Sequence, residues 1–391
     1  MGTTACSSDS TGTSAAPTSA TPSGRATSAS ATPSASTPSP APATCVQTLA
    51  AGLTPDQQAG QLVMVSLSAG SPGAALGPAV QGAHVGNALY LGGWRSGHAD
   101  VTATSQILQG LATPDATGGI PLLLAADQEG GAVQQLKGTG FTTIPSALDQ
   151  ATQGPASVTA LATQVGSELA SAGVNVDLAP VADTVPAELG KANEPIGQWG
   201  RQYGFDPASA AAGSDAFVQG LQAAGVAATL KHFPGIGRIQ GNTDLTAQGI
   251  VDPVMTADDP YLEPFRSGIA QGAQLVMLSS AVYPNLDPDN PAMFSAAIVN
   301  GLLRTDLGFT GVAITDDINA VAVQGIPVTD RATRFIAAGG DIVLTGDTSS
   351  AGALVAAIRD RVAADTAFAN AVAVSTQRVL ALKQELGLIC Q

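Results

Sequence analysis

Three groupings in this sequence carry residue types that could do chemistry. Asp316 sits in Gly-Val-Ala-Ile-Thr-Asp-Asp-Ile, directly after a short apolar run. A carboxylate at the mouth of a buried strand can attack an anomeric carbon or stabilise the cation that forms there. The same position would suit a helix N-cap, a role equally open to Asp317. Lys231-His232 opens Lys-His-Phe-Pro-Gly-Ile-Gly. Two donor side chains at a strand end can grip hydroxyls or an anion. The Pro-Gly-x-Gly that follows cannot continue a helix and reads as a loop. That loop runs on through Arg238-Ile-Gln-Gly-Asn-Thr-Asp244. A mobile loop of this kind can deliver an acid/base carboxylate to a neighbouring site, or its Asn and Asp can simply cap the loop. Finally, Asp127-Gln-Glu-Gly-Gly places a carboxylate where it could accept two hydrogen bonds from a vicinal diol.

Other chemistries find little support. His84, His98 and His232 are the only histidines, and none lies near Asp127 in sequence, so zinc is not expected. There is no G-x-S-x-G elbow for a Ser-His-Asp triad. No G-x-G-x-x-G follows the first apolar run, which argues against a dinucleotide site. Neither a metal nor a cofactor is expected.

The elements that must position these groups are visible as short apolar runs. They are Leu62–Leu67, Ala88–Leu91, Leu122–Ala126, Val174–Leu178, Val226–Leu230, Leu275–Leu278, Val312–Ile314 and Ile342–Leu344. Taken as a set they are near-continuously apolar rather than alternating, as strands buried on both faces should be. Eight of them is the count a closed parallel barrel needs. Helical spacing appears between several, as in Val158, Leu161, Val165 and Leu169. Helices over 156–172 and 208–224 each run into Gly and then a strand, at Ala172-Gly-Val and Ala224-Gly-Val. Gly there supplies a left-handed cap. The segment 367–387 reads as a closing helix. The expected fold is therefore α/β: a single (β/α)8 TIM-type barrel over 45–391. Asp127, Asp183, Lys231-His232, Ser279-Ser280, Asp316-Asp317 and Asp347 all follow strands, on the face where such barrels carry their sites.

The barrel follows a different kind of segment. Residues 1–44 contain no Leu, Ile, Val, Phe, Tyr or Trp, and are mostly Ser, Thr, Ala, Pro and Gly. Such a stretch cannot bury enough apolar surface to offset its ordering entropy, so it is expected to be a disordered tether. Cys6 lies among small residues, as a lipid-bearing cysteine would, although no charged and apolar leader precedes it. Lipid anchor and plain thiol both stay open. Cys45 ends the tether and Cys390 is penultimate. A disulfide between them is expected if the chain is exported, because barrel termini lie close together. The formal net charge of −15, from 15 Lys+Arg against 30 Asp+Glu, argues against nucleic acid and against an anionic membrane face. No stretch reads as a transmembrane helix.

Taken together, Asp127-Gln-Glu-Gly-Gly, Ala179-Pro-Val-Ala-Asp, Arg201-Gln-Tyr-Gly-Phe-Asp-Pro, Lys231-His-Phe-Pro-Gly and Ile314-Thr-Asp-Asp resemble, in order, the family 3 glycoside hydrolases. They are most similar to the single-domain bacterial β-N-acetylglucosaminidases. Leu53-Thr-Pro-Asp-Gln-Gln-Ala-Gly-Gln-Leu-Val-Met and Gly301-Leu-Leu-Arg-Thr-Asp-Leu-Gly-Phe match as well. The resemblance implies a (β/α)8 barrel that removes terminal β-linked N-acetylglucosamine with retention, from peptidoglycan fragments or chitooligosaccharides. It assigns Asp316 as nucleophile, and Asp127, Arg201, Lys231 and His232 as residues holding the sugar. The expected partner is thus a carbohydrate; the chain is expected to be a monomer at the cell surface or beyond, touching a membrane only if Cys6 carries a lipid.

One departure from the family pattern falls at the acid/base position. The family's loop usually holds Asp-Ser-His, whose His is the general acid/base, where this chain has Asn242-Thr243-Asp244. Gln135 likewise stands where the family often has Arg. Either Asp244 is itself the acid/base, or it caps a loop and the protein is a weakly active or non-catalytic glycan-binding lipoprotein. A β-glucosidase-type hydrolase is a further alternative.

Overall fold

The eight apolar runs are strands because each is shielded from water on both faces, which leaves its backbone groups only neighbouring strands to pair with. In the computed structural model, which describes residues 43–391, they are β1 (Val63–Ser68), β2 (Asn87–Leu91), β3 (Leu123–Ala126), β4 (Val176–Asp177), β5 (Ala227–Phe233), β6 (Leu275–Leu278), β7 (Val312–Thr315) and β8 (Val343–Thr345). All pair in parallel, in the order β7-β6-β5-β4-β3-β2-β1-β8. An Ile314–Ile342 bridge joins β7 to the start of β8 and closes the ring. The fold is the (β/α)8 TIM-type barrel expected from the runs. β4 is shorter than its apolar run, since only Val176 and Asp177 pair in regular register.

The outer layer follows from helix–Gly–strand joints. Helices Pro155–Ser171 and Pro207–Ala223 are followed by Gly173 and Gly225, both at positive φ. Their chains then turn back, with Val174 and Val226 donating to the Leu169 and Leu221 carbonyls. The strands start at once, so the barrel's other end is free of long loops and the polar residues collect at strand C-termini. The last helix, Thr366–Glu385, packs Phe368, Val372, Val379 and Leu382 inward.

The ends of the barrel are tied to each other. Thr44 caps a helix over Cys45–Gly52, reciprocally with Gln47. Cys45 and Cys390 form a disulfide, their Cα atoms 6.0 Å apart across 345 residues of sequence. Val46, Ala50 and Leu53 of the first helical segment pack with Ile120, Leu380 and Ile389 beside it. Cys6, and all but the last two residues of the expected tether, lie outside the described residues.

Because so long a loop is closed by the disulfide, Cys45→Ser is expected to lower unfolding stability by about 2–5 kcal/mol. Denaturant midpoints of the oxidised wild type and the variant measure this. Equal midpoints would show that the cross-link adds nothing.

Candidate active site

A buried lysine needs carboxylate partners to stay charged, and Lys231 has two. It lies near the end of β5, where pairing with β6 shifts register between Lys231 and Phe233. That irregularity lets consecutive side chains, Lys231 and His232, line one cavity. The Lys231 ammonium donates to Asp127 Oδ1 at 2.6 Å and lies 2.5 Å from Glu129 Oε1. Glu129 also takes both arms of Arg201, from Nε at 2.8 Å and Nη2 at 2.6 Å. Two acids and two bases thus form a neutral buried quartet. Burial alone would push the Glu129 carboxyl up, but Arg201 and Lys231 outweigh it and hold it down at about 2. In the same way, burial opposes the Lys231 charge while Asp127 and Glu129 hold the ammonium above its ordinary range.

His232 is held from behind. Its Nδ1 lies 2.7 Å from Asp183 Oδ2, and the same carboxylate accepts from the backbone N–H groups of His232 and Ile236. This leaves Nε2 as the ring nitrogen free for the cavity. Asp183 is fully buried at the loop after β4.

The two remaining carboxylates come from different loops. Asp316 directly follows β7, and its backbone N–H donates to the Leu278 carbonyl of β6. Asp317 also borders the cavity, but its Oδ1 accepts from Asn319 and from the Gly346 N–H, so it binds loop to loop. The adjacent acids are therefore not interchangeable, and Asp316 is the cavity-facing carboxylate without that cross-link. Asp244 arrives on the long loop after β5. Thr243 and Asp244 carbonyls accept from Ala322 and Val321, which docks the loop tip beside the segment following Asp316. The base of the loop is pinned by Asn193, whose Nδ2 donates to the Ile236 and Ile239 carbonyls at 2.8 and 2.7 Å. Arg238 stacks 3.6 Å over Tyr261 and pairs with Asp259. Gly237 runs so close to the Thr184 carbonyl that a β-carbon would lie 1.9 Å from its oxygen, which accounts for glycine there.

Asp127, Arg201, Lys231, His232, Asp244, Asp316 and Asp317 line one cavity of about 250 Å³, with Leu89, Leu91, Val133, Leu178, Met277 and Leu344 as its apolar walls. A volume near the lower end of ligand pockets suits one sugar ring. Asp244 is exposed at the rim by surface area, yet its inner side is crowded by the cavity wall, and that side governs its proton. Burial first, then the Asp316 charge, pushes its carboxyl up to about 6, against a partial pull from His232 and Arg201. An acid that keeps its proton up to about pH 6 beside a second carboxylate is the pairing that glycosidic bond cleavage uses.

All six residues expected at the catalytic and sugar-holding positions meet here. His84 and His98 do not: His84 Nδ1 bonds the Ala116 carbonyl and His98 Nε2 bonds Ser171. Gln135 is spent on the Gly93 N–H. The sequence reading assigned no role to Glu129, Asp183 or Asn193. Glu129 and Asp183 stood inside the quoted motifs, and their place just beyond strand ends was the available signal. For Asn193, no local pattern marked it.

Residues 54–382 match the glycosyl hydrolase family 3 N-terminal domain. A β-hexosaminidase of Xylella fastidiosa is 40% identical over 232 residues, covering 57% of this chain and 67% of that protein. The crystal structure of a β-N-acetylhexosaminidase from Beutenbergia cavernae superposes with a TM-score of 0.83 at 46% identity, over 85% of this chain and 99% of that one. A family 3 β-N-acetylglucosaminidase from Paenibacillus aligns with a TM-score of 0.75 at 30% identity, over 87% and 64% of the two chains.

Removing Glu129 leaves two buried cations facing one carboxylate. Glu129→Ala is expected to cost about 3–5 kcal/mol of stability. The sign with pH follows from a depressed native value against 4.5 for the free side chain. The stabilisation is complete above that value and is lost as pH falls toward 2. Denaturant unfolding of wild type and variant between pH 7 and 3 checks both: the gap between them should narrow in acid, and a constant gap would contradict the ion-pair account.

Proposed function

The chain belongs to glycosyl hydrolase family 3, and from that premise we propose that it removes terminal β-linked N-acetylglucosamine with retention, using Asp316 as nucleophile and Asp244 as acid/base. The observation that carries this reading is the meeting of Asp316 and Asp244 in one sugar-sized cavity, the second keeping its proton to about pH 6. In the first step, Asp316 attacks the anomeric carbon while Asp244 gives its proton to the departing oxygen. In the second, Asp244 as carboxylate takes a proton from water as that water displaces Asp316. The Asp127, Arg201, Lys231 and His232 donors and acceptors hold the ring hydroxyls through charge-assisted bonds. The replacement of the family's His by Asp244 keeps an acid/base group at the site and changes only its chemical type.

The names of the relatives support N-acetylhexosamine as the sugar, and we propose peptidoglycan fragments or chitooligosaccharides as its sources. We also propose an exported, surface-anchored lipoprotein, with Cys6 as the lipid attachment point. The Cys45–Cys390 disulfide supports an oxidising compartment, and the Ser/Thr/Pro-rich stretch between Cys6 and Cys45 supports a spacer.

Cleavage of aryl N-acetyl-β-glucosaminides tests the catalytic assignment. Asp316→Asn should abolish turnover of every leaving group. Asp244→Ala should slow poor leaving groups by about 10²–10⁴-fold while sparing activated ones in the glycosylation step. In the wild type, kcat/KM for a poor leaving group should fall above about pH 6 as Asp244 loses its proton, and Asp244→Ala should lack that limb. Equal losses for good and poor leaving groups would remove Asp244 from the role. For anchoring, Cys6→Ser should move the protein from the membrane fraction to the medium, and unchanged partition would remove the lipid.

A further inference from the structure

The loop that carries Asp244 leaves β5 through His232-Phe-Pro-Gly-Ile236. Pro234 has no N–H to donate and Gly235, at φ +135°, has no side chain to pack, so other parts of the chain must set the direction of this exit. One buried side chain spans it. Asp183, in the loop after β4, has no exposed surface. Its Oδ2 accepts twice from His232, from the ring Nδ1 at 2.7 Å and from the backbone N–H at 3.2 Å. Its Oδ1 accepts from the Ile236 N–H at 2.7 Å. A carboxylate can only accept, so Nδ1 carries the hydrogen and the other ring nitrogen is left for the cavity that His232 lines.

Asp183 is thus a staple across the exit, with one end on a cavity residue and the other at the base of the Asp244 loop. Its neighbour Thr184 continues the contact, since the Thr184 carbonyl lies directly against Gly237. Other side chains hold the same base. The Tyr283 hydroxyl donates to the Gly235 carbonyl at 2.9 Å. Asn193 donates to the Ile236 and Ile239 carbonyls and accepts from the Ile196 and Gly197 N–H groups. Arg238 pairs with Asp259. Among the side chains of the described residues, only Asp183 bonds both that base and a side chain assigned to the sugar. Charge-assisted bonds in a dry setting hold their donors firmly.

We propose that Asp183 is a positioning residue for both halves of the reaction: it holds His232 against the sugar and, through Ile236, sets the base of the loop that delivers Asp244. A ring seated on His232 then also steadies the loop exit, so sugar binding and proton delivery are linked through one carboxylate. The linkage rests on the reading of the cavity as an N-acetylglucosaminidase site, with His232 on the sugar and Asp244 as acid/base.

The test compares wild type with Asp183→Ala in the full chain, by inhibition with N-acetylglucosamine and by kcat/KM for aryl N-acetyl-β-glucosaminides with an activated and a poor leaving group. Loss of the hold on His232 should raise the inhibition constant about tenfold. Loss of the hold on Ile236 should cut kcat/KM for the poor leaving group about 10–100-fold more than for the activated one, because only the poor one needs Asp244 in place. A loosened fold alone would depress both substrates alike, so the widened ratio is the signature of the displaced loop. Either effect without the other, or neither, overturns the shared role alone. Should the variant not fold, hydrogen exchange of the wild type decides. Saturating N-acetylglucosamine should slow exchange of the Ile236 amide more than that of amides in Thr366–Glu385, and equal slowing overturns the proposal. A wild type that neither binds N-acetylglucosamine nor cleaves its aryl glycosides overturns the reading of the site, and the shared role with it.

Discussion

The Lys231 ammonium is buried at the centre of a barrel face, and almost everything around it is arranged so that it can stay charged. Burying an isolated ammonium costs several kcal/mol even after relaxation, so the chain must bring carboxylates to it from elsewhere. Asp127 and Glu129 come from the segment after β3. A third carboxylate-to-cation contact then draws in Arg201 from the loop after β4. The result is a neutral cluster with fixed donors and acceptors. Such a cluster is organised before any ligand arrives, and its stability depends on all four members.

The second organising constraint is the loop after β5. A carboxylate on a free loop would titrate in its ordinary range and wander. Here Asn193, Gly237, Arg238 and the backbone bonds to Val321 and Ala322 hold that loop at both base and tip. Asp244 is consequently kept where one side meets solvent and the other meets Asp316. The barrel thus raises the proton affinity of Asp244 by the surroundings in which it places that carboxylate. Asp317, next to Asp316 in sequence, is spent on the loop containing Gly346, and its cross-link steadies the segment on which Asp244 docks.

Much of the architecture was legible in the residues. Strands buried on both faces read as near-continuously apolar, and helix ends that turn straight into strands favour a left-handed residue, so the eight runs and the Gly173 and Gly225 joints announced the barrel. The site was legible in part, because strand C-termini share one face of such a fold whatever their order in the chain. Glu129 and Asn193 were not picked out, and Asp183 was placed on the right face without a role, since an acid or amide beyond a strand looks the same whether it faces solvent, a buried base or another loop.

Sequence alone therefore determined the periodicities, the caps, the barrel they imply and the residue types available at its mouth, because these depend on local chemistry and on short-range steric rules. Tertiary structure alone decided which of two adjacent acids is spent on a loop-to-loop cross-link, which carboxylates pair with Lys231, and how firmly Asp244 holds its proton. Those outcomes depend on desolvation and on charges brought together from loops far apart in the chain, and neither quantity exists until the barrel closes.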